Sequence, residues 1–211
     1  MSSAELNWNQ DQKPPFLILA TQYQQQSILT LLLQKGGDVN ITDRFKQTAS
    51  TFAAQNNDLA ILKTLKKFNA NFDKADYQGY TPLMEACLNE NFDALVFLIK
   101  HSKNINNKTD FNETTLYFAI ENNDLKAVDA LLNHGADIQI YPPLDKSLFS
   151  FAEKRSTPEI YSRLTKEKQT RAFNHFKREH KKVTAFTKTQ IHQKFSAPLR
   201  LRKRRPSNLK K

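Results

Sequence analysis

One cysteine and four glycines in 211 residues remove several functional classes at once. A single cysteine cannot close a bridge within the chain, so this is no disulfide-stapled scaffold. Four glycines are too few for the loops that cradle phosphates or dinucleotides. Long apolar runs are missing as well. The densest, Phe16–Ala20 and Ile28–Leu33, fall far short of the roughly 20 residues that cross a bilayer. The first residues, MSSAELNWNQDQKPP, show no basic stretch followed by an apolar one, so no secretory leader is read there. The lone Cys87 fits a reducing compartment, and the expected location is intracellular, in cytoplasm or nucleus. Export by a route without a cleaved leader is compatible with this.

What the chain has is core-forming material and an uneven charge. At 39% hydrophobic and 25% charged it can bury a core, and its length suits one domain with an extension. Its formal net charge is +11. Residues 166–211 hold 16 Lys/Arg and two Glu, a net of +14. Residues 1–165 hold 16 basic and 19 acidic residues, a net of −3. Any argument about polyanions belongs to the tail alone.

The body is periodic. Alanine stands at 20, 53, 86, 119 and 152, and leucine at 32, 65, 98, 131 and 164, each 33 residues apart. Within a period the apolar spacing is helical. Leu83, Ala86 and Cys87 form one i, i+3, i+4 stripe, and Phe92, Leu95, Val96, Leu98 and Ile99 form another. The polar stretch Asn89 to Asn91 separates them. Each unit therefore reads as two short helices and a loop of about ten residues, which must stack on neighbours to cover its apolar face.

Residues 76–86 read DYQGYTPLMEA, 31–40 read LLLQKGGDVN, and 131–138 read LLNHGADI. Period and motifs resemble the ankyrin repeat, with its D-x-x-G-x-T-P-L-H-x-A and L-L-x-x-G-A-D-V-N elements. The resemblance implies an all-α solenoid of about five 33-residue helix-turn-helix units. These fall near 15–42, 43–75, 76–108, 109–141 and 142–165, after a lead at 1–14. A basic tail, 166–211, is expected to be helical to about 183 and disordered beyond.

The column Pro15, Thr48, Thr81, Thr114, Ser147 occupies the family's helix-capping position, where a hydroxyl can accept an orphan backbone N–H. Pro82 follows at the first helical position. The family's glycine between the helices is replaced by Gln24, Asn57, Glu90, Asn123 and Ser156. Asparagine tolerates a left-handed backbone, so the turns at Gln24 and Glu90 are the ones expected to differ. The histidine of T-P-L-H is absent: Ile18, Thr51, Met84, Tyr117 and Ser150 stand there. Modest stability and fraying at the fifth unit are expected. Arg163 and Thr165 suggest a polar outer side at that end, and Gln22 with Gln24, Gln25 and Gln26 suggests the same at the other.

No catalytic constellation, metal set or cofactor motif is found. His101 and His134 share a column at a helix C-terminus, where a cation is favourable. His175 and His180 are five apart, which is not the i, i+4 spacing of paired ligands. Cys87 reads as a small core residue. A non-enzymatic protein is expected.

The resemblance implies that a protein partner binds the loop tips and the exposed side of the first helices. The tips are Arg44, Phe45 and Gln47; Tyr77, Gln78 and Tyr80; Asp110, Phe111 and Glu113. The first helices give Gln55, Asn56, Leu88, Asn89, Glu121 and Asn122. Phe45, Tyr77, Tyr80 and Phe111 form a candidate anchor stripe, because rigid rings bury much area at low entropy cost. A monomer is expected.

In the tail, Ile160, Tyr161, Leu164, Ala172, Phe173, Phe176 and Val183 follow helical spacing among good helix formers. Arg200, Arg202, Lys203, Arg204 and Arg205 resemble a single-cluster nuclear import signal. The same residues suit an import receptor, nucleic-acid phosphates or an anionic membrane, with Phe186 and Phe195 available for stacking or insertion. A scaffold or adaptor with a targeting tail is the first reading. A chromatin- or nucleic-acid-associated factor is the second, and a peripheral membrane binder the third. The Asn-, Gln-, Lys-, Phe- and Ile-rich composition is similar to ankyrin proteins of host-associated bacteria, which implies an exported effector by analogy alone.

Overall fold

The computed structural model describes residues 14–140 and 147–195, with side chains as far as residue 178. Ten helices are present among the described residues. Their pairing follows the sequence period. α1 (Phe16–Gln22), α3 (Ala49–Gln55), α5 (Pro82–Leu88), α7 (Thr115–Glu121) and α9 (Leu148–Arg155) are the first helices. α2 (Gln26–Gln34), α4 (Leu59–Lys67), α6 (Phe92–His101), α8 (Leu125–Asn133) and α10 (Pro158–Phe195) are the second. Each series starts at 33-residue intervals, so this is an all-helical repeat solenoid.

The first helices are short because their caps fix them. The side-chain oxygens of Thr48, Thr81, Thr114 and Ser147 accept the N–H of Thr51, Met84, Tyr117 and Ser150 at 3.3, 3.3, 3.3 and 3.1 Å. Each such cap stabilises its helix by about 1 kcal/mol. Pro82 occupies the first turn of α5, where no N–H is needed. Asp58 and Asp124 cap α4 and α8 in the same way.

The phased alanine and leucine columns lie in the core. Ala53, Ala86, Ala119 and Ala152 are fully buried, as are Leu65, Leu98, Leu131 and Leu164. Small alanines let neighbouring first helices approach closely, while the leucines fill the space between first and second helices.

Neighbouring units are also joined by side-chain oxygens and amides. Asn57 Oδ1 accepts from Ala94 N–H at 3.0 Å, and Asn123 Oδ1 from Thr157 N–H at 2.9 Å. Asn91 Nδ2 donates to Ala54 O and Gln55 O, and Asn122 Nδ2 to Cys87 O. These carbonyls lie in the last turns of α3 and α5, where Ala54 O and Cys87 O also accept from the N–H groups of Asn57 and Glu90; the amides add a partner from the next unit. In the loops after the second helices, Asn40, Asp73 and Asn106 accept from Asn71, Lys103 with Asn104, and Asp137. With the family's histidine absent, asparagine carries much of the hydrogen bonding between units.

Three details differ from the sequence-based expectations. The turns at Gln24 and Glu90 do not depart from the others. Both residues are left-handed (φ 55° and 56°), matching Asn57 and Asn123 (53° and 55°). The unit that departs is the fifth, where Ser156 is extended (φ −112°). Stacking fixes the reversal, and a non-asparagine side chain absorbs a penalty of about 1–2 kcal/mol. Arg163 is turned onto the fourth unit rather than outward. Its guanidinium donates to Asp129 at 2.6 Å, Asn133 at 3.1 Å and Glu167 at 3.1 Å. At the other end Gln22, Gln24, Gln25 and Gln26 are exposed, but beside them lies an apolar groove.

The chain divides into two compact units, residues 1–167 and 168–211. α10 runs to Phe195, twelve residues past the expected end near 183. In its first part Ile160 and Leu164 are buried. In the second unit Phe173 and Phe176 are exposed, and the Lys177 ammonium lies 4.6 Å from the Phe173 ring centroid. The basic cluster Arg200, Arg202, Lys203, Arg204 and Arg205 lies outside the described residues.

If Glu90 and Gln24 carry left-handed strain, glycine relieves it. Glu90→Gly and Gln24→Gly are each expected to stabilise the fold by about 1 kcal/mol, read from urea midpoints. Asn57→Gly should gain less or destabilise, because it removes the bond to Ala94.

Candidate protein-binding face

The loop tips are built by side chains that fold the backbone onto itself. Asp43 Oδ1 accepts from Phe45 N–H and Gln47 N–H at 2.8 and 2.9 Å. Asp76 Oδ1 does the same for Gln78 and Tyr80, both at 2.9 Å. In the next unit Thr109 Oγ1 takes this part for Phe111 and Glu113. The turn then requires a left-handed residue, which is Lys46, Gly79 and Asn112 in succession (φ 63°, 86° and 64°). A Cβ at Gly79 would lie 2.9 Å from Thr109 Cα, so the next tip leaves no room for a side chain there.

Adjacent tips are in hydrogen-bonded register. Tyr77 N–H donates to Phe45 O at 3.1 Å, and Asp110 N–H to Gln78 O at 3.0 Å. The tips adjoin the first helices as well. The Tyr80 ring stacks on Phe118 of α7 at 5.8 Å, and Gln55 Nε2 of α3 donates to Glu85 Oε2 of α5 at 3.0 Å. Tips and first helices of units two to four therefore make one continuous face.

Ten of the fifteen residues expected on this face are exposed: Arg44, Phe45, Asn56, Tyr77, Gln78, Leu88, Asn89, Asp110, Phe111 and Glu121. The other five are partly buried and have structural partners or sit in the tip turns. Gln47 and Glu113 close their turns, Gln55 holds Glu85, and Asn122 caps α5. Tyr80 is not a free anchor. Its ring packs on Phe118 and its hydroxyl faces Glu113; burial and that carboxylate raise its pKa. The remaining rings are open: Phe45 is 51% exposed, Tyr77 59% and Phe111 61%. Two already carry cations. Arg44 lies 4.6 Å from the Phe45 centroid and Lys46 lies 4.5 Å from that of Tyr77.

Two contributors escaped the sequence reading. Lys46 reaches across to the next tip. Glu85 stands one turn before Leu88 and Asn89, so i, i+3, i+4 spacing alone places it on their face. Burial raises the Glu85 pKa, opposed by the Gln55 hydrogen bond.

Cys87 is buried, its thiol directed to Thr115 O at 3.5 Å and pushed up to about 12 by burial, so it is not a nucleophile at ordinary pH. His101 ends α6, where a cation is favourable. Burial and the Lys66 ammonium, 3.0 Å from Nε2, lower its pKa. Among the described residues no group of three or more His, Cys, Asp or Glu is placed to hold a metal ion. No described helix is long and apolar enough to cross a membrane.

A family model described as ankyrin repeats (3 copies) matches residues 17–109 and 51–142. The chain belongs to the ankyrin-repeat family. Similar proteins include the putative ankyrin repeat protein FPV034 of fowlpox virus, 32% identical over 114 residues, 54% of this chain and 27% of that protein. The putative ankyrin repeat protein YahD of Escherichia coli is 29% identical over 121 residues, 57% of this chain and 60% of that protein. Inversin of the dog is 30% identical over 111 residues, 52% of this chain and 10% of that protein. The chain thus spans between a tenth and three fifths of these relatives. Ankyrin repeats are generally protein–protein interaction modules and typically non-enzymatic.

Glu85 offers a test of how this face is held. Its folded pKa is raised, so its charge opposes folding above that pKa, and the penalty vanishes below the unfolded value. Glu85→Gln should therefore raise the melting temperature at neutral pH, and the gain should fade as pH drops into the carboxylate range.

Proposed function

We propose that this ankyrin-repeat protein is a non-enzymatic scaffold whose tip and first-helix face binds a protein partner, and whose basic tail directs the complex. The observation that carries the reading is the set of three open rings, Phe45, Tyr77 and Phe111, held on tips in hydrogen-bonded register. Large exposed rings on a rigid frame are costly to leave in water and are suited to anchoring a partner. Asp110 and Glu121 are exposed on the same face, which suits a partner that brings cationic side chains between the rings. The partner's binding energy comes from the rings, and its register from the charges.

The tail contributes charge rather than shape. A net of +14 over residues 166–211, against −3 in the body, supports a targeting role for it by import receptor, nucleic acid or anionic lipid.

Replacing Phe45, Tyr77 and Phe111 together by alanine should leave circular dichroism unchanged. It should weaken capture of the partner at least tenfold, about 1.4 kcal/mol or more, as for buried anchors. Retained binding would exclude the face. For the tail, residues 166–211 fused to a fluorescent protein should accumulate in the nucleus if import is its role. Neutralising Arg202, Lys203, Arg204 and Arg205 should then disperse the signal. A diffuse signal indifferent to those changes would dismiss import. Salt-dependent gel shift and flotation on anionic vesicles distinguish the other two roles.

A further inference from the structure

Counted along the chain, residues 1–165 are mildly acidic, but the fold does not spread that charge evenly. Residues 59–72 and 94–104 contain α4, most of α6 and the start of the loops that follow. They hold five lysines and no acidic residue. Lys63, Lys66, Lys67, Lys100 and Lys103 are all exposed. Where the two helices end lies a cleft of about 360 Å³, lined by Lys66, Asn69, Asn71, Asp73, His101 and Lys103. These residues belong to second helices and the loops after them, not to the tip and first-helix face.

The Lys66 ammonium lies 3.0 Å from His101 Nε2. An ammonium can only donate, so Nε2 accepts and the ring is neutral. Among the described residues no carboxylate pairs with the Lys66 or Lys103 ammonium. The carboxylate of the cleft, Asp73, is turned to the backbone, accepting from Lys103 N–H at 2.8 Å and Asn104 N–H at 3.2 Å. The carbonyls ending α4 are taken as well: Leu65 O accepts from Ala70 N–H and Lys66 O from Asn69 N–H. The groups that would repel an anion are thus engaged, while two ammonium groups have no negative partner.

We propose that this cleft is an anion site that takes the phosphate group of a small phosphorylated solute, held between Lys66 and Lys103. A phosphate monoester brings a charge of about −1.5 to −2 and three acceptor oxygens. That serves both ammoniums and the Asn71 amide, whose own oxygen already accepts from Asp73 N–H. A carboxylate offers one charge and two oxygens. As the anion arrives, Lys66 exchanges the imidazole for the phosphate, and His101 is left beside a dianion that favours its protonated form. Without that anion the opposite holds, since burial and then the Lys66 ammonium lower its pKa. A polymer fits less well. α2 carries no Lys or Arg, and on α8 Lys126 is accompanied by Asp129. The cations are therefore confined to one junction between units, about 10 Å across, and form no stripe that follows a nucleic-acid backbone.

The basic tail of the full chain also attracts anions, so the readout must be local. The His101 imidazole resonances supply it, assigned by their loss in His101→Gln. Inorganic pyrophosphate should shift them saturably. Lys66→Gln and Lys103→Gln should each weaken that response at least fivefold with circular dichroism unchanged, whereas Lys126→Gln should not. All three lysines are exposed, so the variants can fold. Sulfate stays dianionic across the histidine range and isolates the proton. It should move the His101 titration midpoint upward, and either cleft variant should abolish that movement. The charged groups facing His101 are Lys66 of α4, Lys100 of α6, and Lys103 and Asp73 of the loops; their residue types titrate outside that range. No saturable shift at His101, or one indifferent to both cleft variants, would overturn the proposal. So would binding of duplex DNA or of phosphatidylserine vesicles that both variants weaken while pyrophosphate leaves His101 unmoved, since the patch would then serve a polymer or a membrane.

Discussion

No helix pair in this chain can stand alone, and most of the molecule follows from that. First helices of seven or eight residues and second helices of nine or ten in the first four units are shorter than isolated helices that persist in water. Each is held by burying its apolar side against a neighbour and by having its free ends satisfied. Thr48, Thr81, Thr114, Ser147, Asp58 and Asp124 cap the helix starts, and the asparagines tie helix ends to the neighbouring units. Asn91 and Asn122 reach back to helix-ending carbonyls of the preceding unit, and Asn57 and Asn123 reach forward to the N–H groups that open the next second helix. Stability in such an array comes from nearest-neighbour terms. The same bonds that close one unit therefore position the tip and first helix of the next.

The period was legible because stacking forces it. A 33-residue spacing in Ala and Leu appears unchanged as a 33-residue spacing of helix starts. The caps were legible because Thr48, Thr81, Thr114 and Ser147 have one favoured use before a helical stripe. Turn geometry at Gln24 and Glu90 was not, since local preference there is overruled by contacts that no local window contains. The far end of α10 was readable in principle. The helix is described to Phe195, and the sequence from Val183 to that residue contains no breaker. On the face, exposure of Phe45, Tyr77 and Phe111 followed from their column. The burial of Tyr80 did not, because it depends on the ring of Phe118 one unit away.

Scarce glycine has a consequence for how the backbone is managed. Ten described residues have positive φ, and seven of them are not glycine. Asn57 and Asn123 offset their strain with bonds to the next unit. Lys46 has a partner of another kind, its ammonium on the Tyr77 ring. Gly79 is the position where substitution meets the backbone of the following tip. Gly135 has open space around it, so there the positive φ alone favours glycine. Glycine is thus kept where geometry leaves no alternative at one site and where nothing compensates at another.

A partly buried carboxylate at Glu85 and the exposed rings of Phe45, Tyr77 and Phe111 fall on the side made by tips and first helices, whereas the buried leucine and alanine columns hold neither. Selection for stability alone would replace Glu85 with a neutral residue and the rings with polar ones. Natural proteins retain such residues where function depends on them. Gln55 is the informative neighbour: it spends its amide on Glu85, which keeps the carboxylate oriented but leaves its charge uncompensated. A cationic group on a partner would remove that penalty on binding. On the proposed reading, such a face would be better matched to a complex than to water.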